Sequence, residues 1–254
     1  MLDTATVAWL ALSAFGAGVF IGAVGIGGVL LIPALIYLAD LTVQEGMATA
    51  LASFMATGIA GTIAFQRRGS INWRVTVPLC VGAVLFGFLG ALVNSFVNAH
   101  WLSVILALVI VFAGVYSLSS VEGMPEPAWS GHPRLQQLLL LGIGGFTGFG
   151  AGLTGAGGPV LSVPVMIVFG FPPLQTIGAS QVVQILASAS GTLGNLKYGV
   201  IDFTLVGIIV VLEIVGVFLG ARIVHAVDEA LVRRFVALLC VLVGGGMLVN
   251  ALWT

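Results

Sequence analysis

Apolar residues run along this chain in long blocks separated by short polar punctuation. Cut at that punctuation, the blocks fall at 5–24, 28–39, 44–66, 73–96, 101–119, 135–153, 159–171, 174–197, 203–225 and 229–252. A helix that crosses a bilayer needs about 20 mostly apolar residues. Eight blocks approach that length and are expected to be spanning helices, whereas 28–39 and 159–171 are too short to span comfortably. The one clearly polar stretch runs from Ser119 to Pro133, and its Pro, Gly and Glu content reads as a linker. The expected organisation is therefore a first transmembrane unit at 1–119, a linker at 120–134 and a second unit at 135–254.

The second half repeats the first at an offset of 130 residues. Gly25-Ile-Gly-Gly28 falls on Gly155-Ala-Gly-Gly158, and Gly61-Thr62 on Gly191-Thr192. Gly69-Ser-Ile-Asn-Trp73 falls on Gly199-Val-Ile-Asp-Phe203, and Leu89-Gly-Ala91 on Leu219-Gly-Ala221, while Pro33 and Pro164 agree within one residue. Five segments per half is an odd number, so the second copy is expected to enter the membrane upside down, as in many secondary transporters. With alternating segments, Arg67, Arg68, Arg74, Arg134, Arg222, Arg233 and Arg234 share one side and only Lys197 lies opposite. Basic loops mark the cytoplasmic side. A parallel repeat, with the first two segments of each half fused into one span, would instead move three of those arginines across. The fold expected is thus all-α and polytopic, two inverted-topology repeats with broken or short helices at the Gly-rich motifs and both termini facing away from the cytoplasm.

Composition narrows the classes of function. Of 254 residues 59% are hydrophobic and only 7% charged, and the mean hydropathy is +1.20, which assigns the chain to a lipid bilayer. A net charge of −1 lacks the basic footprint that nucleic acid requires. Cys80 and Cys240 lie inside apolar runs, offering neither a disulfide framework nor a Cys-based metal cluster. His100, His132 and His225 are too scattered to suggest a metal site, and no P-loop or His-Glu-x-x-His motif is present, so no cofactor is expected. The N-terminus lacks the basic stretch of a cleavable signal peptide, so the first apolar block is read as mature structure.

The glycine runs 22–28 and 148–158 carry the first candidate chemistry. Glycine costs a helix about 1 kcal/mol relative to Ala, and a Gly cluster followed by a short apolar segment suggests a helix break within the membrane. Such a break leaves unbonded N–H groups at the start of the next half-helix, with Pro159 suited to a first helical position. Two such N-termini can hold an anion without any basic side chain. Gly25, Gly27, Gly28, Gly155, Gly157 and Gly158 are therefore candidate substrate-binding positions. The competing explanation is close helix packing through small residues, as at Gly18/Gly22 and Gly148/Gly152.

A polar stripe follows each short segment: Thr49, Ser53 and Thr57 in the first copy, Ser180, Gln181, Gln184, Ser188 and Asn195 in the second. Thr49, Ser53, Ser180, Gln181 and Gln184 are candidates to complete an anion's shell, with interhelical hydrogen bonding as the alternative role. Glu213 stands near the middle of the block 203–225, where carboxyl groups commonly relay protons, and is the proton-coupling candidate. Its repeat equivalent is Ala83, so only one copy would carry a proton. Asp40, Glu45, Asp202, Asp228 and Glu229 lie near segment ends and are expected on solvated faces.

Taken together, the doubled Gly-x-Gly-Gly runs, Gly46-Met-Ala-Thr-Ala50, Ile177-Gly-Ala-Ser180, Arg67-Arg-Gly-Ser-Ile-Asn-Trp73 and Tyr198-Gly-Val-Ile-Asp-Phe203 resemble the sulfite exporter TauE/SafE family over essentially the whole chain. That resemblance implies a multi-pass secondary transporter of the inner (cytoplasmic) membrane, moving small anions such as sulfite, sulfoacetate or other organosulfonates, commonly outward. Its expected partners are the anionic substrate, the lipid bilayer and protons as the candidate coupling ion. A passive anion channel or uniporter is the rival reading. An intramembrane enzyme would need a catalytic constellation that Glu213 alone does not supply.

Overall fold

The computed structural model describes residues 4–25, 27–118, 126–198, 201–224 and 229–253. Ile26, most of the linker (119–125), Gly199, Val200, His225 and Asp228 lie outside them, as do the side chains of Lys197, Glu229, Arg233, Arg234 and Cys240. The described residues form an all-α, polytopic architecture. Its helices are α1 (Thr4–Val24), α2 (Gly28–Leu38), α3 (Val43–Gln66), α4 (Trp73–Asn94), α5 (Ala99–Leu118), α6 (Pro133–Thr154), α7 (Pro159–Val168), α8 (Pro173–Tyr198), α9 (Phe203–Ile223) and α10 (Glu229–Trp253). Among the described residues, α1, α3, α4, α6 and α9 are each long and apolar enough to cross a membrane. Large side chains such as Leu85, Phe86, Val211 and Val215 face outward, as a lipid-facing surface requires.

Each helix of the second half starts within one residue of the position 130 beyond its counterpart. The local causes repeat as well. Asn72 caps α4 by accepting from the Arg74 N–H, and its equivalent Asp202 caps α9 by accepting from the N–H groups of Thr204 and Leu205. The Ile-Asn-Trp and Ile-Asp-Phe motifs are thus helix starts. Thr42 and Glu45 close a capping box on α3. Glu45 and Asp202, expected on solvated faces, lie at partly exposed helix starts and also satisfy backbone N–H groups there. The seventh block ends earlier than its hydropathy suggests, at Val168, because Gly170 turns with φ +82° and Pro172-Pro173 follow.

The glycine runs divide between two tasks. Gly18 and Gly22 pack directly on the backbone of Glu213 and Val217, while Gly216 and Gly220 receive the backbone of Phe15 and Val19. Gly144, Gly148 and Gly152 do the same against Leu79, Ala83 and Gly87. These glycines lie inside intact helices and let α1 approach α9, and α6 approach α4, more closely than any side chain allows. Among the described residues the breaks fall at Gly25, Gly27 and 155–158. There Gly25, Gly155 and Gly157 have φ of +80°, +67° and +84°, a left-handed backbone that other residues adopt at a cost of about 1–2 kcal/mol.

Contacts give the direction of each helix. On α1 and α9, Gly18 meets Glu213 and Gly22 meets Val217, so these helices run parallel. Gly144 with Leu79 and Gly152 with Gly87 make α6 and α4 parallel in the same way. The equivalents α3 and α8 run antiparallel: Leu51 faces Gly191, Gly58 and Gly61 face Gln181, and Ser70 faces Gly178. Leu51 with Gly191 and Gly61 with Gln181 are one contact with the halves exchanged. At the middle of this crossing the equivalents Phe54 and Gln184 meet, the Gln184 Nε2 donating to the Phe54 carbonyl at 3.1 Å.

Candidate functional site

The Phe54–Gln184 crossing is where the two breaks arrive. Gly157 lies on the Phe54 ring, and Gly158 sits against Val183, the Gln184 backbone and the Thr147 methyl group. Gly28 packs against the Ala156 carbonyl. Both short helices therefore begin beside the crossing. With 11 and 10 residues, α2 and α7 are about 16 and 15 Å long, roughly half the thickness of a hydrocarbon core. Gly25 reaches the Ser180 hydroxyl on one side of the crossing, and Gly155 reaches Met47 on the other.

Electrostatics follow from the helix starts. In α7 the first N–H groups to bond within the helix are those of Leu161 and Ser162, both donating to the Gly158 carbonyl. In α2 they are those of Leu30 and Leu31, donating to the Gly27 carbonyl. The N–H groups before them have no intrahelical acceptor, and the positive ends of both helix dipoles point into the centre.

Side chains of α3 and α8 complete the surroundings. Gln184 Nε2 also donates to Thr57 Oγ1 at 2.9 Å, so its amide joins the two helices in the interhelical role. Gln181 Nε2 donates to the Ile21 carbonyl at 3.0 Å, holding the last turn of α1, while its Oε1 is buried without a partner. Ser53 and Ser180 each donate to a backbone carbonyl of their own helix, at Ala50 and Ile177 respectively, over 2.8 Å. Thr49 lies apart from the crossing, accepting from the Asp202 N–H at 3.2 Å near the start of α9. Every candidate position, from Gly25, Gly27 and Gly28 through Thr49, Ser53, Gly155, Gly157, Gly158, Ser180, Gln181 and Gln184 to Glu213, is buried.

Glu213 is completely buried, and neither carboxyl oxygen has a hydrogen-bond partner. Ser53 of α3 faces it, and Gly18 of α1 packs on the Glu213 backbone. Three polar groups at the centre escape a reading of the sequence. The hydroxyls of Thr147 and Ser162 are buried and unpartnered, the first beside Gly158 and the second one turn into α7. Asn94 Nδ2 donates to the Leu153 carbonyl at 2.6 Å, holding the end of α6 beside the second break. Thr147 lies within Gly144-Gly-Phe-Thr-Gly148, just before the second glycine run.

The family model for the sulfite exporter TauE/SafE matches residues 10–247. The chain belongs to that family. It is accordingly a multi-pass membrane transporter. It is 23% identical over 226 residues to the probable membrane transporter protein YdhB of Bacillus subtilis, covering 87% of this chain and 91% of that one. YunE of the same organism, also named a probable membrane transporter protein, is 23% identical over 240 residues, 86% and 88% of the two chains. The probable membrane transporter protein MJ0441 of Methanocaldococcus jannaschii is 23% identical over 178 residues, 67% of this chain and 64% of its own. No solved structure matches the chain.

Proposed function

We propose that this transporter is a secondary active exporter of small anions such as sulfite, sulfoacetate or other organosulfonates, working by alternating access in the inner membrane. One observation carries the reading: two half-helices begin beside the same buried crossing, each presenting N–H groups without an intrahelical acceptor and the positive end of its dipole to it. The N–H groups around Gly27, Gly28, Gly157 and Gly158 coordinate the anion, Gly25 and Gly155 make the turns that aim them, and Ser53, Ser180, Gln181 and Gln184 line the shell. Thr49 belongs to the outer part of the path.

An inverted repeat is supported by the antiparallel run of the equivalent helices α3 and α8 and by the bias of basic residues to one side. One inverted half rocking on the other would open the centre to each face in turn. Burial of every candidate position favours a carrier over an open channel.

Glu213 carries the coupled proton. A bound anion and an ionised carboxylate repel each other, so anion binding and the protonation state of Glu213 are coupled. Proteoliposomes loaded with labelled sulfite, sulfoacetate or a simple carboxylate provide the test. Imposing a proton gradient is expected to change the flux of one of these anions, and E213Q is expected to abolish that change. Flux indifferent both to the gradient and to E213Q would return Glu213 to a structural role and make the protein a uniporter. Absence of flux for every anion would overturn the transport reading at this site.

A further inference from the structure

Ser53 has one hydroxyl hydrogen and two claimants for it. The hydrogen is given to the Ala50 carbonyl of its own helix at 2.8 Å, while the Glu213 carboxyl group, facing Ser53 from α9, holds both oxygens without a bond. Both side chains are completely buried. The acid form of Glu213 can donate to Ser53 Oγ, whose lone pairs remain available while its hydrogen stays on Ala50. The ionised form has nothing to donate and needs a donor, which Ser53 can provide only by turning away from Ala50. An unpaired carboxylate in a buried setting is the costlier alternative.

Among the described residues, the other charges on the elements packed against α9 are remote from this pair. The helices packed most closely on α9 are α1 and α3. No titratable side chain lies in α1, and the one acidic residue of α3, Glu45, is bound in the capping box of its first turn. Asp202 is occupied at the start of α9. Arg68, just past α3, donates to the Ala221 carbonyl, eight residues or about 12 Å along α9 from Glu213. Arg222 lies one residue beyond Ala221.

We propose that Ser53 is the positioning residue that reports the protonation of Glu213 to the centre, by moving its one hydrogen bond between the Ala50 carbonyl and the Glu213 carboxylate. Ser53 precedes Phe54, the residue on which Gly157 rests and whose carbonyl Gln184 holds. Turning the hydroxyl thus changes the hydrogen bonding of α3 next to the start of α7. The copy related by the repeat has Val183 and Ala83 at the corresponding positions, so the device belongs to one half only. This inference rests on Glu213 being the coupled proton site.

Infrared difference spectroscopy on the full-length protein in lipid nanodiscs, titrated with pH in the absence of substrate, tests it. The parent is expected to show a protonated-carboxyl C=O band that E213Q removes. In S53A that band is expected to move to higher frequency, because the acid loses its acceptor, and S53T is expected to restore the parent position. If S53A fails to fold, S53C replaces it, and its weaker sulfur acceptor is expected to shift the band part of the way. A band at the parent frequency in S53A or S53C, or no band that E213Q removes, would overturn the proposal. A displaced band in a protein that moves none of the tested anions would uphold the Ser53–Glu213 pair and overturn the transport reading instead.

Discussion

Gly157 illustrates how much one residue decides here. Its φ of +84° lies where a side chain is strained, and a Cβ would stand 3.3 Å from the Phe54 ring. We expect G157L to reach the membrane in parental amount yet lose anion flux by at least about tenfold, since strain of about 1–2 kcal/mol and a displaced ring both fall at the start of α7. Full activity in G157L would overturn the backbone site, and immunoblotting of isolated membranes separates lost function from lost protein. The glycine clusters announced the breaks, but not which glycines make them. Gly18 and Gly148 look no different in sequence from Gly25 and Gly157, and only the neighbouring backbone distinguishes a packing glycine from a turning one. Glu213 was legible because an acidic residue inside an apolar block is costly. Its relation to Ser53 was not, since 160 residues separate them along the chain.

Elements followed the hydrophobic pattern closely because lipid leaves backbone groups no alternative to internal pairing, so a block long enough to cross must be a helix. Helix ends were less plain. Asp202, read from sequence as a solvated charge, accepts from two N–H groups at the start of α9. D202A is therefore expected to cost about 1 kcal/mol, seen as a lower melting midpoint in detergent, whereas D202N keeps an acceptor oxygen and should stay close to the parent. Equal melting of all three would mean that the cap contributes nothing. The short helices were legible as too short to span. That they start beside the middle of the molecule required the contacts of Gly28, Gly157 and Gly158.

For the whole molecule, inversion of the halves predicts that equivalent loops open to opposite sides. Single cysteines in place of Asp40, between α2 and α3, and Pro172, between α7 and α8, both exposed, test this in a background with Cys80 and Cys240 replaced by Ala. A membrane-impermeant maleimide added to intact cells is expected to label the first and spare the second; equal labelling would overturn the inverted arrangement. Sequence by itself determined the membrane class, the ten helical blocks, the duplication and the candidate residues, because burial in lipid imposes apolar runs of fixed length and a repeat preserves its glycines and caps. Only the tertiary structure decided that α1 lies on α9 and α4 on α6, that both breaks meet at Phe54 and Gln184, and that Ser53 faces Glu213. Those are contacts between distant parts of the chain, set by which small residues let two backbones approach, and no periodicity along one helix records its partner.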